Sequence, residues 1–153
     1  MPSTERLTDA EQQLWRDFLA FSEGVTAHVA RDLTESTGLS VSDFEILVRL
    51  QESPEHALEQ RALVDSLGWS PSRTSHQISR MQRRRLVERR GNGSGRAVTI
   101  ALTEQGLGRV EHAAAVHAAS VRRNFLSQFD HDLLQQVLSR AHELHEASFR
   151  RSS

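Results

Sequence analysis

This chain of 153 residues contains no cysteine. That single absence removes disulfides, thiolate metal sites and cysteine-based redox sensing. Lysine is missing too: all 19 basic residues are arginine. We read that bias mainly as genomic base composition, with a small gain for phosphate and guanine contact. No run of about 18 apolar residues occurs, so no membrane span is expected. The N-terminal stretch is polar and carries acids, unlike a signal or transit peptide, and the expected compartment is the cytoplasm. Signatures of catalysis are also lacking. There is no G-x-S-x-G, no HExxH, no phosphate loop and no thiol nucleophile, so neither an enzyme nor a cofactor is expected. Hydrophobic residues make up 37%, little for a self-contained monomer. Long amphipathic helices that bury their seams against a second subunit fit that figure.

What the chain does have is an uneven distribution of charge. From Trp69 to Leu102 there are 8 arginines and one acid, Glu88, a net of +7. The other residues hold 11 basic and 19 acidic groups, a net of −8. Positive charge is thus concentrated in one segment, as contact with nucleic acid requires.

Local signals order that segment. Thr8 to Glu11 is a capping box, and Leu14, Phe18, Phe21, Val25 and Val29 mark one face of a helix to about Glu35, ended by Thr37 and Gly38. A second capping box, Ser42 to Glu45, opens a short helix that buries Phe44, Leu47, Val48 and Leu50. Glu52 to Ala57, with Pro54, reads as a loop. A third helix spans Glu59 to Leu67 before Gly68. Ser70 and Pro71 are an N-cap and first-turn proline, starting a fourth helix to about Arg85. Leu86 to Arg90 is a strand, residues 91–95 a glycine-rich tip, and Arg96 to Leu102 an alternating strand. Thr103 caps a fifth helix with the seam Leu107, Val110, Ala114, His117, Val121 and Phe125. Asp130 opens a sixth with Leu134, Val137, Leu138, Ala141 and Leu144 on one side.

The expected fold is mainly α with a small β wing: six helices forming a winged helix-turn-helix, with N- and C-terminal helices as a dimerisation region. The expected boundaries are 1–36 for the N-terminal dimerisation helix, 40–102 for the winged domain and 103–150 for the C-terminal dimerisation helices. In such a fold the fourth helix enters the major groove of double-stranded DNA. Arg73, Gln77, Arg80 and Arg84 share one face of it. Arginine can grip guanine and glutamine adenine through paired hydrogen bonds. Ser70, Ser72, Thr74 and Ser75 sit at its N-terminus, where hydroxyls and backbone N–H groups hold phosphate, and His76 joins the candidate contacts. Of Arg83, Arg84 and Arg85, one or two are expected at phosphate and one paired with an acid. Arg89, Arg90 and Arg96 flank the glycine tip, where a wing arginine is drawn into the narrow minor groove.

The SRTSHQISRMQRRRLVERR stretch and the closing LTEQG at Leu102 to Gly106, in this order of six helices and a wing, resemble the MarR (multiple antibiotic resistance regulator) family of transcription factors. The resemblance covers about Asp9 to Phe149. It implies a sequence-specific DNA-binding regulator, chiefly a repressor, that is a homodimer joined through its first, fifth and sixth helices. The two wings would grip a pseudo-palindrome. Recognition helices one turn apart would span roughly 34 Å. The family's wing usually carries Asp two residues before its Arg; here Ser94 precedes Arg96.

The resemblance also implies an effector pocket between the winged segment and the dimer region, with Trp15, Phe18, His28, Phe44 and Trp69 as candidates, although residues of these types ordinarily serve packing. Without cysteine, a thiol-based peroxide sensor is excluded. A metal-responsive alternative uses His142 and His145, three apart, with Glu111 or Glu146, or His112. His117, on an apolar seam, reads as an interface histidine. A further alternative is a winged protein-interaction module, which would carry acids or apolar patches on its fourth helix.

Overall fold

The computed structural model describes residues 6–91 and 97–140. Residues 92–96, with Ser94, Arg96 and the glycine tip beyond Gly91, lie outside the described residues, as do His142, His145, Glu146 and the expected far end of the sixth helix.

Helix α1 runs Asp9–Thr37. The expected box is present at its start: Thr8 accepts from the Glu11 backbone and Glu11 from the Thr8 N–H. Gly38, at φ 68°, ends the helix in the left-handed region that a residue with a Cβ resists. Helix α2, Val41–Glu52, corrects one boundary. Its capping box is Ser40 with Asp43, not Ser42 with Glu45, because Ser40 is the residue in extended conformation that leaves its hydroxyl facing the Asp43 N–H. The expected loop to Ala57 contains a turn, Pro54–His56, and then a strand, β1, Ala57–Glu59. A three-residue strand has no readable period; it exists because Leu58 finds Ile100 opposite it.

Helix α3, Gln60–Leu67, ends at left-handed Gly68. Helix α4, Pro71–Arg83, follows after two residues. Strands β2, Val87–Gly91, and β3, Val98–Leu102, form the antiparallel wing, and the sheet order is β1-β3-β2. Helix α5, Glu104–Asn124, begins at Thr103 as expected. A short turn, Leu126–Gln128, leads to α6 at 131–140, with Asp130 accepting from the Leu133 N–H.

The core lies under the winged segment. Leu39, Ile46, Leu47 and Leu50 meet Leu63, Ile78, Met81 and Leu86, and Val110 and Ala113 of α5 close it from behind. Helix α1 packs on α5 through an exchange of polar bonds. Asp32 accepts from Ser120 Oγ at 2.5 Å and Arg123 Nη2 at 2.6 Å. The Ser120 hydroxyl, with Arg123 and Asn124, holds the Asp32 carboxyl below its ordinary value of 3.8, against a smaller opposing effect of desolvation. A depressed carboxyl stabilises the fold above its unfolded value and loses that contribution as pH falls through the folded one. Asp32→Asn should therefore lower Tm at pH 7, and the gap to the parent should close below pH 3.8. A gap that persists at pH 2, about two units below the ordinary value, would show that ionisation is not what counts.

The end of α4 holds a second test. Arg85 follows the C-cap with φ 57°. The Leu86 N–H reaches back to Met81 O at 3.0 Å and the Arg85 N–H to Gln82 O at 2.9 Å, the pattern that usually recruits glycine at this place. Arg85→Gly should raise stability by about 0.5–1 kcal/mol in urea unfolding; a loss would mean that the Arg85 side chain outweighs the backbone strain.

Candidate nucleic-acid interface

Helix α4 owes its position to three local features. Gly68 turns the chain, Ser70 accepts from the Arg73 N–H, and Pro71 supplies a helical φ where no N–H is needed. Thr74, Gln77, Ile78 and Met81 face inward. At about 100° per residue the opposite side is centred on Ser72, His76, Ser79 and Arg83, with Arg73 and Arg80 on one flank. Ser72, Arg73, His76, Arg80 and Arg83 are exposed, and Thr74 is buried with its hydroxyl returned to the Ser70 carbonyl.

Gln77 is the correction here. Periodicity set it beside Arg73 and Arg80, yet only 8% of it is exposed. Its Nε2 donates to Asp43 Oδ1 at 2.7 Å. Arg84 is bound to the same carboxylate, Nη1 to Oδ2 at 2.8 Å, while its Nη2 donates to the Gly38 carbonyl at 2.8 Å. The expected pairing of one of the three consecutive arginines with an acid is thus made by Arg84. Asp43 escaped the sequence reading because the capping box was placed two residues late. The only signal was Ser40-x-x-Asp43, and nothing in the spacing connects it to residues 77 and 84.

The wing side is also tied to α4. Arg89 donates to Ser75 O at 3.2 Å, Ser79 Oγ at 3.1 Å and Gln82 Oε1 at 3.1 Å. Arg90 pairs with Glu88 at 2.7 Å on the surface. The guanidinium of Arg73 lies 3.9 Å above the Trp69 ring, which itself packs on the core. Among the described residues Arg80 and Arg83 have no side-chain partner. Ser72, Ser75, His76 and Ser79 line a shallow furrow of about 300 Å³ on the exposed face. No acid occurs anywhere in α4. The surface is therefore cationic, with small hydroxyl residues at its centre that allow close approach.

A cavity of about 730 Å³ lies between α1, α2 and α5. Its walls are mostly aliphatic, with Phe44 and Phe125 as rings and Glu23, Thr26, Glu45, Arg49 and His117 as polar residues. Of the five residues expected in a pocket, only Phe44 is there. Trp15 and Phe18 stack on each other at 5.7 Å on the exposed side of α1. His28 donates its Nδ1–H to the Gly24 carbonyl at 2.6 Å within the same helix, and Trp69 is held under Arg73. The aromatic content of a helix does not say which flank turns inward; the crossing of α1 on α5 does. His117, expected on an apolar seam, stands 4.9 Å from the Phe44 ring at the cavity. His112 is exposed on α5, and among the described residues no group of three or more His, Asp or Glu is close enough to hold a metal ion.

No family model and no curated protein matches the sequence. Solved structures do. AbsC, a MarR family transcriptional regulator from Streptomyces coelicolor, is 36% identical over 96% of this chain and 99% of its own, with a TM-score of 0.85. The chain belongs to the MarR family of transcriptional regulators. Two further structures share the fold. Sco3205, a MarR family regulator from the same organism solved in complex with DNA, is 24% identical over 96% of this chain and 92% of its own, TM-score 0.84. The MepR–DNA complex of S. aureus is 17% identical over 93% and 99%, TM-score 0.74. In this MarR family member the closing LTEQG has a structural explanation. Thr103 Oγ1 accepts from the Gly106 N–H at 2.9 Å and donates to the Arg85 carbonyl at 2.6 Å, which seats α5 against the end of α4.

Proposed function

We propose that the chain is a homodimeric repressor of the cytoplasm that reads a pseudo-palindromic duplex and is released by a small molecule. The observation that carries this reading is the exposed face of α4. It presents Arg73, Arg80 and Arg83 around a serine furrow, with no acid on the helix to repel phosphate. Arg80, His76 and Arg73 are assigned to base edges, and Ser70, Ser72, Ser75 and Arg83 to phosphate. Arg90 and Arg96 would follow the backbone and minor groove beside the wing, and Arg89 would brace it. Gln77 and Arg84, already bonded to Asp43, would serve the placement of α4. The same face argues against a docking module, which would need apolar or acidic character there.

Dimerisation is supported by the apolar side chains that one protomer leaves uncovered. Leu14 is 72% exposed and Phe18 57%, on α1; Leu133 and Val137 of α6 are 56% and 58% exposed. Large apolar side chains left in water on two helices are the mark of a surface that a partner covers. A two-fold dimer would cover it and set two copies of α4 on successive turns of DNA. The effector would be a mainly apolar molecule, to judge from the walls of the cavity.

Fluorescence anisotropy on duplexes selected from a random pool tests the reading. Selected DNA should bind about a thousandfold tighter than random DNA, with strong salt dependence. Equal binding to both would refute it. Arg80→Ala should cost roughly 1–3 kcal/mol on the selected duplex and relax preference at one base pair. Equal loss on every sequence would make Arg80 a phosphate contact.

A further inference from the structure

The DNA-reading helix and the cavity are served by neighbouring residues of one element. Asp43 is 2% exposed and is the only ionisable group buried among the described residues. A carboxylate so placed needs several donors to offset its lost hydration. It has three: the Ser40 N–H at 2.9 Å, Gln77 Nε2 at 2.7 Å and Arg84 Nη1 at 2.8 Å. Gln77 lies in the middle of α4 and Arg84 caps its end, seven positions on, about 10 Å along the axis. Two attachment points that far apart fix both the roll and the tilt of a helix. Both attachments of α4 thus converge on a single carboxylate, beside the face that carries Arg73, His76 and Arg80.

The next residue of α2 is Phe44. Its ring packs on His117 and walls the cavity, together with Val41, Glu45 and Val48 from the same helix. A molecule that fills the cavity presses on α2 along this side. Asp43 and Phe44 are successive residues of one continuous twelve-residue helix, so a displacement of Phe44 is passed to Asp43. Because charged hydrogen bonds are short and directional, a displacement well under 1 Å is felt at both attachment points of α4.

Resting on the regulator reading above, we infer that Asp43 is the positioning residue of the recognition helix and the point through which an occupied cavity alters DNA binding. The effector need not touch α4 or the wing; it acts through α2.

The test uses the full chain and no effector. Ala30→Trp fills the cavity from α1. Asp43→Ala removes the carboxylate, and Arg84→Met breaks the attachment from the other side while leaving the capping box of α2 intact, should Asp43→Ala fail to fold. Affinities are read on the selected duplex and on random duplex, at a temperature where circular dichroism shows every variant folded. Asp43→Ala and Arg84→Met should each weaken the selected duplex by about tenfold or more and leave random DNA within about twofold. Ala30→Trp should do likewise, yet add less than about twofold on top of either. A drop in Tm with specificity retained would make Asp43 merely structural and overturn the inference. Equal loss on both duplexes for Arg84→Met would place Arg84 on phosphate and overturn it too. Losses from Ala30→Trp and Asp43→Ala that multiply, or an inert Ala30→Trp, would show that the cavity does not act through Asp43, with the regulator reading still standing. Failure of the parent protein to tell selected from random DNA would end the regulator reading and this inference with it.

Discussion

Gly106→Ala should cost at least about 3 kcal/mol, near the upper end for an overpacked site, and lower Tm by roughly 10 °C. A Cβ built on Gly106 would stand 1.9 Å from the Leu86 carbonyl oxygen and 2.9 Å from its carbon. Both are backbone atoms, so no side chain can rotate away. The Leu86 oxygen is also the acceptor for the Thr103 N–H at 3.2 Å. Moving it would break the joint between the end of α4, the start of β2 and the first turn of α5. Gly108, two residues on in the same helix, has open space where its Cβ would go. Gly108→Ala should therefore be neutral or stabilising, by up to about 1 kcal/mol. Thermal denaturation of the pair separates a steric requirement from a general dislike of substitution in α5. Equal small effects at both positions would refute the close approach.

Phe18→Asp should turn a dimer into a monomer at micromolar concentration and abolish specific DNA binding. Phe18 is exposed on α1 and stacks on Trp15, so in one protomer the substitution disturbs almost no core. In the proposed dimer it would bury an unpaired carboxylate in an apolar seam, a cost of several kcal/mol counted twice by symmetry. With one half-site left, the selected duplex should lose about a thousandfold in affinity and fall to the level of random DNA. Analytical ultracentrifugation reads the mass and anisotropy the binding. A dimer that survives Phe18→Asp would place the interface elsewhere. A monomer that still binds the selected duplex tightly would show that one winged segment suffices.

Much of this was legible because it is local. Capping residues, glycines and the strand alternation of Val98, Ile100 and Leu102 act within a few positions, and each helix start agrees within about one residue except that of α2, which lies two residues earlier than expected. The charge excess between Trp69 and Leu102 was likewise open to counting. The cap of α2 aside, what the sequence does not show needs a partner far along the chain. β1 is a strand because of β3, forty residues later. Gln77 turns inward because Asp43 lies under it, 34 residues earlier. His117 faces Phe44 because α5 crosses α2 there.

The sequence by itself determined the order of the helices and the two wing strands, the absence of thiol chemistry and the concentration of positive charge on one helix and its wing. Those properties are additive over neighbouring residues and survive without knowledge of packing. Only the tertiary structure decided which arginines remain available for DNA and which are spent on holding α4, and which aromatic residues enclose space. Two candidates of the same type and helical face differ only in what stands opposite them: Arg80 meets nothing among the described residues, and Arg84 meets the buried carboxylate of Asp43. A buried charge must be paired, and that pairing is a relation between distant residues which no local pattern encodes.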